Sequence, residues 1–440
     1  MRKNRLASLV AFACIGMNVT NAQALDLLQA YRDAQAYDSQ FASARATREA
    51  NLEKSVQGRA GLLPQIAING SASKIEGETA QGGRSSDISY TSNTVQLQLQ
   101  QPLYRPANLT IYEQSKLQVA ASETQFEQAR ADLALRVAQA YFDVLTVQDA
   151  LVFIRAQKVA ITEQLESAKR NFEVGTATIT DTHEAQARFD LAIAQEIAAL
   201  NDLEVKRNLL AQITGKLPGE LNGLRPAVRL SPPEPQNISR WVESAEAGNF
   251  SVVAQGFIAE SAKLDIERSR SGHKPTLDAV ASYGQNKGLA FAPQATITTA
   301  SVGVQFNLPV YAGGSTSSLV RQAIATEEKA RADLDTARRN AAQSARTAFL
   351  GVQNGLSQVK ALEAAETSST SALESNRLGY EVGVRINIDV LNAQQQLYST
   401  RRDLAKARYD TLVNGLRLKA AVGSLGEADL AELNGLLDTR

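Results

Sequence analysis

The sequence predicts a mainly α-helical chain with a small β part, laid out as two copies of one plan. Three observations predict this. Hydrophobic residues fill 44% of the 440 positions but aromatics only 5%, so the apolar content is mostly Ala, Leu, Val and Ile and suits thin helical packing better than a thick core of rings. Long stretches contain neither Gly nor Pro, the longest being the 68 residues from Ala107 to Val174. The chain also matches itself at an offset of 207 to 208 residues. Pro102 falls on Pro309, Tyr104 on Tyr311 and Phe142 on Phe349; after a one-residue slip, Glu173-Val174-Gly175 falls on Glu381-Val382-Gly383, Asp181 on Asp389, and Gly215 on Gly423. The usual expectation of about 150 residues per domain gives way to this repeat.

Residues 1–24 read as a secretory signal. Arg2, Lys3 and Arg5 precede an apolar run from Leu6 to Met17, and Ala22-Gln23-Ala24 supplies small residues for cleavage. The run is too short to span a bilayer, which takes roughly 20 residues. Cys14, the chain's one cysteine, lies inside the run and is badly placed to carry a lipid. Cleavage removes Arg2, Lys3 and Arg5 from the 46 basic residues, leaving 43 against 46 acidic ones. The expected organisation is then a first repeat over 25–224, a Pro-rich linker over 225–235 with Pro226, Pro232, Pro233 and Pro235, and a second repeat over 236–440.

Each repeat carries the same elements in the same order. A helix over Leu25 to Gln57 opens the first, and one over Trp241 to Ser271 opens the second. Alternating segments follow within 62–104 and 275–311: Ile66 and Ile68, then Val95-Gln96-Leu97-Gln98-Leu99-Gln100; Leu277, Ala279, Ala281 and Tyr283, then Val302, Val304, Phe306 and Leu308. They predict four strands of about ten residues, paired as two hairpins, with long loops at Lys74 to Asn93 and Gln285 to Ser301. Helical hairpins over 107–214 and 315–423 complete the repeats. Val137, Ala140, Val144, Val147, Leu151, Ile154, Ile161, Leu165, Ala168 and Phe172 follow a heptad spacing, and Val390, Ala393, Leu397, Thr400, Leu404, Ala407 and Thr411 do the same. Gly175 turns the first hairpin; Gly379 and Gly383 turn the second, whose outward helix has weak points at Gly351 and Gly355. An ordinary helical bundle is the alternative. A helix of 68 residues, about 100 Å long, does not fit a compact one.

Several function classes fall away. Basic and acidic residues balance at 46 each, leaving no excess charge for a nucleic acid. One Cys and two His, His183 and His273, cannot assemble a Cys/His metal cluster or a redox dithiol, so no cofactor is expected. No nucleophile, base and orienter suggest themselves, and Thr214-Gly215-Lys216 lacks the upstream Gly of a nucleotide loop, so the chain is not expected to be an enzyme. Strands with an apolar face and a Gln/Asn face suit the wall of an outer-membrane barrel. Closing one takes at least about eight strands, so four strands would have to be shared between two copies or three. The competing readings are a small soluble sheet, a periplasmic coiled-coil adaptor, or an adhesin.

Several short segments, in order, resemble the TolC family of outer-membrane efflux and secretion ducts. They are Leu62-Leu63-Pro64-Gln65, Gln98-Leu99-Gln100-Gln101, Ala140-Tyr141-Phe142-Asp143-Val144-Leu145 and Gly175 through Ile179-Thr180-Asp181. In the second half they are Gly272-His273-Lys274-Pro275-Thr276-Leu277, Leu308-Pro309-Val310-Tyr311-Ala312-Gly313-Gly314 and Gly379-Tyr380 through Asp389-Val390-Leu391. The resemblance implies a homotrimer with a twelve-stranded barrel set in outer-membrane lipid, a periplasmic helical tunnel, and passive conduction. An inner-membrane ABC or RND-type transporter, joined through a periplasmic adaptor, would drive it.

The same resemblance places a gate at the helical turns, where Arg385 would bond Thr180 and Asp181, and Tyr380 would also reach Asp181. A second role for Asp181, compatible with the first, is as a first-turn residue favoured by the helix dipole. Asp389 is the candidate for a selectivity ring of three converging carboxylates. The family pattern has a second Asp three residues on, where this chain has Asn392, and Glu184 holds the matching place in the first repeat. His183 is expected to be solvated and His273 to cap the entry to a strand. Tyr104 and Tyr311 suit either a membrane interface or plain packing.

Overall fold

The computed structural model describes residues 25–81, 83–225, 228–289 and 292–438. The expected signal, Cys14 and Pro226 lie outside them.

The first repeat opens with two helices where one was expected: α1 (Leu27–Tyr37) and α2 (Ser39–Ala60). Asp38 divides them. Its backbone is extended, and its carboxylate accepts from the Phe41 amide at 2.7 Å and from both terminal nitrogens of Arg136. The second repeat breaks in the same way. Asn249 separates α5 (Ile238–Gly248) from α6 (Phe250–Arg270), capping α6 through Ser251 N and donating to the carbonyl of Ala421. Each cap is fixed by a distant partner, so the local sequence does not betray the break.

The strands are longer than the alternation indicates: β1 (Gln65–Gln81), β2 (Arg84–Tyr104), β3 (Thr276–Leu289) and β4 (Ala292–Asn307). Most of the two expected loops is strand. Lys74 pairs with Thr91, Glu76 with Ser89, and the register runs on to Gln81 and Arg84. Ser, Thr and Asn supply no hydrophobic alternation there, yet their backbones continue the ladder. Nor do the hairpins stand apart. Leu97 of β2 pairs with Tyr283 of β3, so all four strands form one antiparallel sheet in the order β1-β2-β3-β4. One face carries Ile66, Ile68, Leu97, Leu99, Val302, Val304 and Phe306; the other carries Gln96, Gln98, Gln100, Gln305 and Asn307. At the base of the sheet Asp278, buried in β3, receives both arms of Arg105 at 2.6 and 2.7 Å, which ties the sheet to the helix that follows.

That helix is α3 (Pro106–Glu173), 68 residues long and therefore about 100 Å. It returns as α4 (Ile179–Thr214). In the second repeat α7 (Ser315–Glu381) goes out and α8 (Asn387–Ala421) returns, and α9 (Glu427–Asn434) follows. α7 runs unbroken through Gly351 and Gly355. These are contact positions rather than weak points, because a Cβ at either would strike Asn414 or Thr411 of α8. Length and hydropathy would let α3 cross a bilayer, but its apolar residues are spent in packing. Leu133, Val137, Tyr141, Phe142, Leu145 and Leu151 join Leu27, Tyr31, Leu210, Tyr409, Val413, Leu416 and Leu430 in one core. Three aromatics meet here, with Phe142 stacked on Tyr409 at 5.6 Å and set edge-on to Tyr141. Burial raises the Asp149 carboxyl above its usual range, against the pull of the Tyr409 hydroxyl donating to it at 2.7 Å. Below this core the heptad positions stay buried down to Ala168, while Phe172, at the end, is exposed.

Candidate functional site

Farthest from the sheet the two hairpins turn, and the turns share a backbone. α3 closes with Gly175 at φ 78°, whose amide donates to Phe172 O, while Thr176 N and Ala177 N both donate to Asn171 O. α7 closes with Gly383 at φ 78°, whose amide donates to Tyr380 O, while Val384 N and Arg385 N both donate to Gly379 O. A glycine in the left-handed region just past a helix end is the common solution for satisfying the last carbonyls. A Cβ at Gly175 or Gly383 would meet no atom within 4 Å, so only the backbone demands glycine there. Gly379 is different. It lies within α7, and a Cβ on it would come within 2.7 Å of Cγ of Arg385.

The caps differ. In the first turn the Thr178 hydroxyl accepts from Asp181 N at 3.3 Å and donates to the Asp181 carboxylate at 2.8 Å, and that carboxylate also accepts from Thr178 N at 2.9 Å. This is a complete capping box. In the second turn Ile386 holds the place of Thr178 and has no oxygen to offer. Asp389 instead meets Arg385 one turn back at 3.6 Å, an exposed and therefore weak pair.

These contacts revise the expected ties within one chain. Arg385 pairs with Asp389, not with Thr180 or Asp181. The Tyr380 hydroxyl accepts from Nδ2 of Asn171 at 3.1 Å and does not reach Asp181. Within the chain the Asp181 carboxylate is held by Thr178 through Oδ2 alone. Thr180 is exposed, as is His183, and Glu184 makes no ion pair with a described residue.

The structure adds residues that the sequence did not single out. Asn387, the first residue of α8, is only 1% exposed; it accepts from Nε2 of Gln164 in α3 and donates Nδ2 to the carbonyl of Asp181 at 3.1 Å. Leu391 seats the same helix among Ile161, Leu165, Ala168, Ala185 and Ala192. Arg188 of α4 donates to Oδ1 of Asn392 at 3.0 Å and to Oε1 of Gln395. A lone Asn between Ile386 and Ile388 was the one signal for Asn387. Nothing in the sequence points from Arg188 to Asn392. Among the described residues no group of three His, Cys, Asp or Glu side chains is placed to hold a metal.

A family model described as "Outer membrane efflux protein" matches residues 30–216 and 241–424. The outer membrane protein TolC of Vibrio cholerae is 33% identical over 438 residues, covering 98% of each chain. The alkaline protease secretion protein AprF of Pseudomonas aeruginosa is 34% identical over 418 residues, covering 93% of this chain and 87% of its own. Among solved structures, the outer membrane protein VceC of Vibrio cholerae superposes with a TM-score of 0.78 at 18% identity, over 90% of this chain and 96% of that one, a likeness of fold.

Proposed function

Since this chain belongs to the outer membrane efflux protein family and is an outer-membrane exit duct for efflux and type I secretion, we propose that three copies build it, a periplasmic adaptor docks it, and an inner-membrane ABC or RND-type transporter drives it. The supporting observation is the sheet. Its outer strands β1 and β4 each have one edge without a partner strand, and in lipid an open edge leaves backbone groups unsatisfied at several kcal/mol each. Three copies would close twelve strands and remove every edge. The apolar row, in which Val302 is 90% exposed in the single chain, would then face lipid, and the Gln/Asn row would face a wet lumen. The tunnel helices carry no nucleotide loop and no catalytic triplet, so we read the duct as a passive, non-enzymatic conduit.

The gate belongs to the same proposal. Thr180 and Arg385 are exposed and do not meet each other within a chain, where Arg385 has only its weak pair with Asp389, so bonds from Arg385 to Thr180 and Asp181 would run between copies, with Tyr380 packed beside them. Asp389 would form the selectivity ring, next to the uncharged Asn392.

Purified full-length chain in a planar bilayer tests both levels. The expected result is discrete, cation-preferring channels from a species of trimer mass, with Arg385→Glu enlarging their conductance and Asp389→Asn reducing the cation preference. A monomer without conductance would overturn the trimeric duct. Unchanged channels in both variants would overturn the gate alone.

A further inference from the structure

We propose that Asn387 is an intraprotomer latch that sets the resting position of the second helical hairpin, α7 and α8, against the first, α3 and α4, a positioning residue for the gate. The proposal rests on the reading of the turns as a gate, and it names a contact lying within one copy.

The geometry is specific. Asn387 begins α8 immediately after the uncapped second turn, and its side-chain amide is buried to 1% exposure. A buried primary amide is costly unless its polar groups find partners. Here the oxygen takes the amide hydrogen of Gln164, about two and a half turns before the end of α3, and the nitrogen gives one of its two hydrogens to the backbone carbonyl of Asp181. Both partners belong to the first hairpin. One side chain of the second repeat therefore bridges both helices of the first, at the level where the mouth must widen or close.

The carbonyl it binds belongs to Asp181, the residue whose carboxylate closes the capping box. Asn387 therefore docks onto the capped end of α4. Leu391, one turn along α8, fills the adjoining apolar site, but apolar contacts slide, whereas an amide with two partners has one register. Moving α8 away from α3 and α4 would break both bonds of the Asn387 amide and cost Gln164 and the Asp181 carbonyl one bond each. Their loss of partners opposes opening in proportion to the bonds broken.

The second turn lacks its own cap, because Ile386 stands where the first turn has Thr178. Its order at the N-terminus of α8 is supplied by the neighbouring hairpin. The second hairpin is thus held near its tip by side-chain bonds to the first.

The test uses the intact protein in planar bilayers, together with heat dissociation of its oligomer. Asn387→Leu keeps the side-chain volume and removes both bonds; the expected result is an open population raised roughly tenfold or more, with the dissociation temperature of the oligomer little changed. Gln164→Leu removes one bond and should raise the open population less. In Gln164→Leu with Asn387→Leu, the Gln164 change should add nothing further, since its partner is already gone. Unchanged gating in Asn387→Leu overturns the latch. If that variant does not assemble, Gln164→Leu decides, and gating like the parent protein's overturns it equally. Arg385→Glu separates the two levels: if it leaves the channel unchanged while Asn387→Leu opens it, the interprotomer gate falls and the latch stands.

Discussion

The two helical turns are built on one backbone and finished differently. Gly175 and Gly383 share φ 78°, and the paired amides after each glycine return to Asn171 O and Gly379 O in matching positions. Beyond that point the first turn closes on itself through Thr178 and Asp181, whereas the second has Ile386 at the cap and leaves Asp389 to a weak pair with Arg385. The difference teaches how a duplicated scaffold divides its labour. The self-capped turn holds its acid on its own helix through one carboxylate oxygen. The uncapped turn leaves its acid only the exposed pair with Arg385 and is tied to the first turn through Asn387.

The strongest way to break the comparison is to attack what the turns share. Gly175→Ala and Gly383→Ala each place a Cβ on a left-handed backbone with empty space around it, so the cost is conformational and should be about 1–2 kcal/mol at either site. Hydrogen exchange at residues 176–177 and 384–385 would read both. Costs that differ by more than about half of that range would show that the turns are not equivalent in backbone.

Next comes what they do not share. Thr178→Ala removes a cap and should lower the local opening free energy of the first turn by about 1 kcal/mol. Ile386→Ala, at an exposed position with no capping bond, should do far less. The converse substitution, Ile386→Thr, installs the missing hydroxyl with Asp389 already three residues ahead. It should stabilise the second turn by roughly 0.5–1 kcal/mol and draw Asp389 toward its own helix. Reversal potentials in a salt gradient would then show a weaker cation preference; an unaltered one would mean that Asp389 does not line the ring.

How much of this was legible in the sequence depended on how far each determinant reaches. Helices free of Gly and Pro, the turn glycines and the repeat are local signals, and all were read from the chain. The helix breaks were not, because Asp38 is held by Arg136, 98 residues away, and Asn249 by a carbonyl 172 residues away. The upper halves of the strands escaped because Ser, Thr and Asn carry no alternating pattern even where their backbones pair. The site divided along the same line. Asp181 and Asp389 stood out by position in the repeat, but the bonds of Asn387 cross 223 and 206 residues, and no spacing rule connects such partners. Within the chain Arg385 and Asp181 each take a near neighbour instead, Asp389 and Thr178.

The smallest expected effect sharpens the charge side of the same contrast. Asn392 stands where the proposed ring would take a second carboxylate, and Arg188 of the first hairpin already reaches its Oδ1 at 3.0 Å. Asn392→Asp therefore adds a negative charge beside a guanidinium positioned to pair with it, and such an exposed pair would mask part of the new charge. Block by trivalent cations should rise only modestly in Asn392→Asp and further in Arg188→Gln with Asn392→Asp, where the ring would carry six uncompensated carboxylates across three copies. Arg188→Gln alone should give a slight gain in cation preference, since it removes a positive charge without adding a negative one. If Asn392→Asp leaves trivalent block unchanged even with Arg188 removed, position 392 does not face the conducting path. The charge of the mouth would then rest on Asp389 and its weak partner Arg385 alone.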